Sequence, residues 1–453
     1  MWYHFIAIGG SAMHNLALDL AKKGHKVTGS DDEIFEPSYT RLKNAGLLPE
    51  AWGWFPDKIN RQIDVVIVGM HARPDNPELL KTQELQIKYF SYPEFLYEHA
   101  KHKKRVVIGG SHGKTTITSM ILHVLKHCQL KFDYMVGAQI KGFERMVSLS
   151  DDAPIMVFEG DEYLTAPFDL RPKFHLYKPH IALITGIAWD HMNVFPTFEK
   201  YIEQFKIFTD LIEPQGSLVW YQGDNELQKI AQQLRNDIKS IPYKEHDAIV
   251  ENQQTFLMVN DQKVPINIFG NHNLQNIQGA KFVCNELGIS DKDFYAAIST
   301  FEGANKRLQK LYFNKEKNIT VFIDFAHAPS KVKATIQAIK SIYHEEKLIA
   351  CLELHTYSSL QKNFLPQYAG SMNFSDEAIV YFNPHALALK KLPDLQPDDI
   401  QSGFKSTNLK IFSQSRQLFD YLSSSIQKNV VILLMSSGNF DNFDLTNWIK
   451  TLQ

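Results

Sequence analysis

The sequence predicts an α/β protein of three domains built on mostly parallel sheets. Three observations carry that expectation. Short β-branched, apolar runs alternate with helix-period segments along nearly the whole chain, as in parallel sheets covered by helices. Two of those runs end in glycine turns that open helices, at Gly9-Gly10 and at Gly109-Gly110. At 453 residues the chain holds roughly two to four domains of ~100–200 residues each. The blocks suggested are 1–103, a Rossmann-like domain; 104–303, a central phosphate-loop domain; and 304–453, a C-terminal Rossmann-like α/β domain.

Bulk composition narrows the class. An apolar content of 44% and a charged content of 22% are those of a globular protein. A net charge of −2 gives no electrostatic case for nucleic acid or an anionic membrane. No apolar run approaches the ~20 residues of a membrane span. The start Met1-Trp2-Tyr3-His4-Phe5 lacks the basic region and cleavage site of a signal peptide. It reads as a first strand. Cys128, Cys284 and Cys351 have no metal-ligand spacing and fit buried apolar filling in a reducing cytosol. A cytoplasmic protein is expected.

In the first block, the strand His4–Ile8 runs into Gly9, Gly10, Ser11, Ala12 and Met13. A helix through Leu16, Leu18 and Leu20 stops at Gly24, and the strand Lys26–Gly29 then delivers Asp31. A glycine turn followed about 20 residues on by an acid is the Rossmann arrangement, in which the acid takes a ribose hydroxyl. The full G-x-G-x-x-G is absent, so a plain βαβ turn stays equally open. A further strand, Asp64–Val68, leads to the loop of His71 and Asn76. That loop reads either as a ligand loop at a strand end or as a turn with an Asn-Pro helix start.

The second block carries the strongest signal. Arg105–Ile108 is strand-like, Gly109-Gly110-Ser111-His112-Gly113-Lys114-Thr115-Thr116 is a glycine loop, and an apolar helix follows. Loop amides at a helix N-terminus cradle phosphate; Lys114 adds charge at the β/γ-phosphates and Thr115 offers a hydroxyl to Mg²⁺. The spacing is imperfect, because Ile108 stands where the usual first glycine would be. The strand Ile155–Phe158 runs into Glu159-Gly160-Asp161-Glu162, and Ile181–Ile184 leads to Trp189-Asp190-His191. Beside a phosphate loop, Glu159 and Thr115 suit Mg²⁺, which takes carboxylate, hydroxyl and phosphate oxygens. His191 alone reads as a hydrogen-bonded structural histidine or as a ligand. His272, Asn273 and Asn276 open a helix running to Leu287. The two asparagines suit an N-cap cluster or, at i and i+3, a purine edge. In the third block Arg307 precedes the strand Thr320–Ile323, which ends at Asp324; strands at Leu348–Leu352 and Val430–Met435 follow.

In order, Gly-Ser-His-Gly-Lys-Thr-Thr, Glu-Gly-Asp-Glu, Asp-His-Met, Gly-Asn-His-Asn-Leu-Gln-Asn, Lys-Arg-Leu and Asp-Phe-Ala-His resemble the Mur ligase superfamily, ATP-dependent amide-forming enzymes of peptidoglycan synthesis. The resemblance covers essentially the whole chain. Ala7–Met13 and Asn76–Glu78 look like the branch that takes UDP-N-acetylmuramate, with two glycines of its first loop replaced. Asp161–Tyr177 and Tyr92–Leu96 are similar to murein peptide ligases, which add the recycled tripeptide L-alanyl-γ-D-glutamyl-meso-diaminopimelate; L-alanine-adding members are the alternative. Leu164 stands where those ligases usually have Asp.

The resemblance implies that ATP phosphorylates the lactyl carboxylate and that the peptide amine attacks the acyl phosphate. It assigns Lys114, Glu159, His191 and Arg307 to catalysis, and Thr115, Glu159 and His191 to Mg²⁺. Gly110–Thr116, His272, Asn273, Asn276, Arg307 and Asp324 are assigned to ATP. Gly9–Met13, Asp31, His71 and Asn76 are assigned to the UDP-sugar. His355–Asn363 and Ser436–Phe440 are candidates for the peptide site. Tetra- or pentapeptides are further candidate substrates, and a Gram-negative source and a monomer or weak homodimer are expected. Folylpolyglutamate synthetases share the later two domains but lack the first 100 or so residues. A non-catalytic descendant is disfavoured by the intact Lys114, Glu159, His191 and Arg307.

Overall fold

The computed structural model describes residues 1–70, 72–166, 168–189, 194–303, 307–406 and 409–452. It is mixed α/β with mostly parallel sheets, as predicted. The chain forms two compact units: 1–244 with 275–298, and 245–274 with 299–453.

Among the described residues, the first unit holds two large sheets and a two-stranded antiparallel pair, Leu164–Ala166 with Asp169–Pro172. In the N-terminal one, Trp2–Ile6 lies between Lys26–Ser30 and Val65–Val68, with Tyr89–Ser91 at the edge, all parallel. The helix Ser11–Lys22 buries Met13, Leu16, Ala17 and Leu20. Its Asn15 and Asp19 carboxamide and carboxylate accept from the backbone N–H groups of Met146 (3.1 Å) and Leu149 (3.2 Å), which ties the two sheets together. The central sheet runs Lys239–Tyr243, Ser217–Tyr221, Ile181–Ile184, Lys104–Gly109, Ile155–Glu159, Phe132–Met135, Val147–Ser148. Only the last of these strands is antiparallel to its neighbour. Lys104–Gly109 is thus interior, buried on both faces, which is why it reads as a continuous apolar run. The helix Lys114–His127 that follows it packs Ile117, Met120, Ile121, Val124 and Leu125 into the core.

The second unit contains a six-stranded sheet in the order Gln309–Asn314, Ile319–Asp324, Val430–Met435, Lys347–Leu354, Glu377–Phe382, Leu409–Phe412. The first pair is antiparallel and the rest parallel. One face packs on Val332, Ile336 and Ile339, the other on Leu418, Phe419 and Trp448. A three-stranded antiparallel sheet, Ala248–Glu251, Gln254–Val259 and Gln262–Ile266, belongs to this unit. The units therefore run differently from the three sequence blocks, which place 245–274 in the central domain. The physical reason is packing: Phe269 meets the rings of Phe322 and Tyr343 edge-on, and Gln253 donates to Glu346 at 3.1 Å. Among the described residues, no helix is long and apolar enough to cross a membrane.

Candidate phosphate-loop site

Parallel pairing builds this site. Ile108 stands opposite Glu159 on one neighbouring strand, and Gly109 opposite Ile184 on the other. The loop therefore leaves the sheet between Glu159 and Thr185. Ile108 is still a strand residue, fully buried, so the loop's glycines have to come later. Gly110 and Gly113 sit at φ +114° and +77°. That region strains any side chain, and a Cβ would run into Thr185 at Gly110 and into Asn276 at Gly113. Thr185 donates to the His112 carbonyl, and Ser111 N–H to the Gly186 carbonyl at 3.0 Å, which fixes the loop from the adjacent strand end.

Three acids line the end of Ile155–Glu159. Glu159 accepts from the Thr115 hydroxyl and from Gly137 N–H, each at 2.7 Å. A hydroxyl and a carboxylate oxygen at that separation match neighbouring ligands around an octahedral cation with ~2.1 Å bonds, so the pair fits Mg²⁺. Asp161 binds the Lys173 ammonium at 2.6 Å. Burial pushes Asp161 up, but Lys173 and Lys114 outweigh it and hold the carboxyl at about 2. Glu162, 1% exposed, receives the Lys114 ammonium at 2.5 Å and the Tyr201 hydroxyl at 3.0 Å. Burial works against the Lys114 ammonium, yet Glu162, Asp161 and Glu159 together raise its pKa. Sequence reasoning did not single out Glu162. Its signals were its place just beyond a strand end and at the close of the Glu-Gly-Asp-Glu motif. Thr116 lies buried in the first turn of the helix. His191 lies outside the described residues.

The N-terminal loop answers the question of the replaced glycines. Ala7 sits at φ +68°, a left-handed backbone that costs an L-residue roughly 1–2 kcal/mol. Ala12 lies inside the helix Ser11–Lys22, where alanine is favoured. Gly9 admits no side chain, since a Cβ would meet Ile34 at 2.7 Å. Asp31 accepts from Gly9 N–H at 2.7 Å and Asp32 N–H at 3.0 Å, so the acid clamps the glycine turn. Burial, the largest influence, lifts Asp31 to about 6 against the pull of those two N–H groups, and neighbouring Asp32 adds to the rise. Its folded value thus lies above the ordinary 3.8. Folding holds that proton more tightly, so stability falls as pH rises from about 4 through about 6. Asp31→Asn should gain roughly 2–3 kcal/mol relative to wild type between pH 4 and pH 8, read by urea unfolding at both pH values. A pH-independent difference contradicts this. Asn76 is the buried N-cap of Pro77–Glu84, accepting from Glu78 N–H (3.0 Å) and Leu79 N–H (3.2 Å). The helix-start reading describes that interaction. His71 lies outside the described residues.

His272, Asn273 and Asn276 do open a helix, Asn271–Glu286. Asn273 donates to the Phe269 carbonyl at 2.9 Å, while Asn276 lies against Gly113 of the phosphate loop. Burial lowers the His272 pKa, with Asp324 opposing. Asp324 accepts from Leu308 N–H (2.6 Å) and Ala326 N–H (2.7 Å). It therefore pins the turn that carries Arg307, whose guanidinium stacks on Phe325 at 4.8 Å. In the same unit, Glu353 accepts from the Ser436 hydroxyl and from Phe440 N–H at 2.9 Å, so Ser436–Phe440 is tied to the end of the strand Lys347–Leu354 that leads into His355–Asn363.

A cavity of about 730 Å³ lies elsewhere in the first unit. Glu94 and Tyr97 of the helix Tyr92–Ala100 face Leu170, Arg171 and His175 across it, and no phosphate-loop residue lines it. Arg171 reaches Glu94 at 3.7 Å. Residues of the stretches Tyr92–Leu96 and Asp161–Tyr177 thus line one cavity.

Three family models match in succession along the chain, and the middle one spans the segment 245–274 that packs with the second unit. Residues 2–104 match the Mur ligase family, catalytic domain; 108–284 match the Mur ligase middle domain; 306–438 match the Mur ligase, glutamate ligase domain. A UDP-N-acetylmuramate–L-alanine ligase of Caldicellulosiruptor bescii is 31% identical over 83% of each chain. The UDP-N-acetylmuramate–L-alanyl-gamma-D-glutamyl-meso-2,6-diaminoheptandioate ligase of Haemophilus influenzae is 27% identical over 96% of each. Among solved structures, UDP-N-acetylmuramate-alanine ligase from Thermotoga maritima superposes with TM-score 0.71 at 20% identity, covering 100% of this chain and 98% of that one. A murein peptide ligase from Psychrobacter arcticus gives 0.65 at 23%, covering 99% and 98%.

Proposed function

The chain belongs to the Mur ligase family, whose members are ATP-dependent amide ligases, and from that premise we propose that it joins L-alanyl-γ-D-glutamyl-meso-diaminopimelate to the lactyl carboxylate of UDP-N-acetylmuramate. The observation that carries the ligase chemistry is the loop itself, with Lys114, Thr115 and Glu159 gathered at adjacent strand ends. The choice of peptide rests on the stretch Asp161–Tyr177 and its partner Tyr92–Leu96.

The reaction must bring anions together. The lactyl carboxylate attacks the γ-phosphorus of ATP, the bond to the β-phosphate oxygen breaks, and ADP leaves. The peptide's neutral amine then attacks the acyl carbon. The tetrahedral intermediate expels inorganic phosphate, and the amine proton passes to solvent or a base. Lys114 neutralises the β/γ-phosphates, and the loop amides orient them. Thr115 and Glu159 would hold a first Mg²⁺ and His191 a second; bound there, they would screen phosphate charge. Asn276, with Asn273 and His272, would read the adenine. Arg307 would take phosphate, and Asp324 the ribose as well as holding the Arg307 turn. Gly9–Met13, Asp31, His71 and Asn76 would form the UDP-sugar end.

A second reading, with L-alanine as the amine, is favoured by relatives named for that reaction at similar identity. Comparing kcat/KM for the two amines at saturating ATP and UDP-N-acetylmuramate decides between them. We expect the tripeptide to be preferred by at least ~10²-fold, since a site built for a second, polar amino acid leaves groups unpaired around alanine alone. Preference for alanine overturns the peptide assignment and leaves the ligase chemistry standing.

A further inference from the structure

An ammonium on a flexible stem has three N–H donors and no built-in direction. In this site two of the three are committed. Lys114 Nζ donates to the Gly110 carbonyl at 2.8 Å and to Glu162 Oε2 at 2.5 Å. One N–H remains for a phosphate oxygen. The Glu162 carboxylate is itself fixed, because Tyr201 donates to its Oε1 at 3.0 Å. Tyr201 OH lies 3.0 Å from Ser111 Oγ, and Ser111 Oγ accepts from Ala188 N–H at 2.8 Å. The row Lys114–Glu162–Tyr201–Ser111 starts and ends inside the phosphate loop, with Glu162, Ser111 and Tyr201 all buried.

We infer that Glu162 is a positioning residue for nucleotide binding: anchored by Tyr201, it aims the Lys114 ammonium so that its remaining N–H meets the terminal phosphates. It touches no substrate itself. Two alternatives fail on the geometry. As a Mg²⁺ ligand, Glu162 would have to give up the ammonium that already occupies it. As a general base, it would need an open face, and it is enclosed. The role rests on the nucleotide reading of the loop, and the test below separates the two.

The probe is a non-hydrolysable ATP analogue with Mg²⁺, titrated by calorimetry into the full chain, with UDP-N-acetylmuramate titrated separately. Glu162→Ala frees the ammonium and should weaken the analogue about tenfold, the worth of one charge-assisted hydrogen bond. Glu162→Gln keeps an acceptor for Lys114 and should restore affinity to within about threefold of wild type. Tyr201→Phe loosens the carboxylate and should fall between them. UDP-N-acetylmuramate affinity should stay unchanged in all three. Equal losses in Glu162→Ala and Glu162→Gln overturn the aiming role, because charge alone would then matter. Unchanged analogue affinity in Glu162→Ala, or parallel loss of UDP-sugar binding, overturns it as well. Should Glu162→Ala fail to fold, the order wild type, Glu162→Gln, Tyr201→Phe still decides. A wild-type chain that binds no analogue would instead sink the nucleotide reading.

Discussion

Lys114→Ala should abolish phosphate release from ATP, with a loss of at least ~10³-fold in turnover, because a cation held in the loop mouth is gone. The structure adds a second consequence. Lys114 is the ion partner of Glu162, which is almost wholly enclosed. Removing the ammonium alone strips this counter-charge from a buried carboxylate, to which the Tyr201 hydroxyl still donates. Breaking a buried pair in this way costs ~3–5 kcal/mol, and partial exposure of Lys114 places the cost at the lower end. Loss of activity in Lys114→Ala would therefore be confounded with partial unfolding. The paired change Lys114→Met with Glu162→Gln removes both charges together and should recover most of the melting temperature while turnover stays absent. Full activity in either variant would contradict the phosphate-loop assignment. Recovery of stability without activity separates the two roles of one side chain.

Glu159→Gln carries the other large effect. Thr115 and Gly137 both donate to Glu159, so the side chain is held in place by the fold before any cation arrives. The amide can still accept from one of them, and the strand it ends is interior, so the fold should tolerate the change. Losing the charge should raise the Mg²⁺ concentration for half-maximal rate at least ~10-fold and lower kcat at saturating Mg²⁺ about 10²-fold, a metal being worth several kcal/mol at a phosphoryl group. The measurement is a Mg²⁺ titration of phosphate release. An unshifted titration curve, whatever the rate, places the cation elsewhere. The same Mg²⁺ titration on Thr115→Val tests the hydroxyl, with loss in the same direction expected.

Much of the sheet core was legible because interior parallel strands are apolar on both faces. Ile181–Ile184 and Val430–Met435 were read to the residue, and the ends of Ile155–Glu159 and Ile319–Asp324 to within one. The three-stranded sheet at Ala248–Ile266 was not anticipated. Its strands are short and half exposed, and the longest apolar run in them is the four residues Phe256–Val259. Its grouping with the C-terminal sheet is a matter of tertiary packing, as Phe269 shows. In the site, Thr115 and Glu159 came from the loop motif and a strand end, and they do meet. Lys114 was found but its partner was not. Glu162 is 48 positions away, and the two are brought together only by the parallel register of Lys104–Gly109 against Ile155–Glu159. Asp31 and Asn76 show that residue types that suit a ligand also suit a clamp and a cap, since each accepts from nearby backbone N–H groups.

In the proposed reaction the loop presents a γ-phosphate to a sugar-linked carboxylate. UDP-N-acetylmuramate carrying ¹⁸O in its lactyl carboxylate tests that directly. The acyl phosphate route transfers one carboxylate oxygen to the phosphate that leaves when the amine attacks. Inorganic phosphate recovered from a ligation with ATP, Mg²⁺ and the labelled sugar should therefore carry one ¹⁸O atom per amide formed. Phosphate that carries no label, with its new oxygen drawn from ¹⁸O-water in the converse experiment, would show that the loop serves hydrolysis and would contradict the acyl phosphate route.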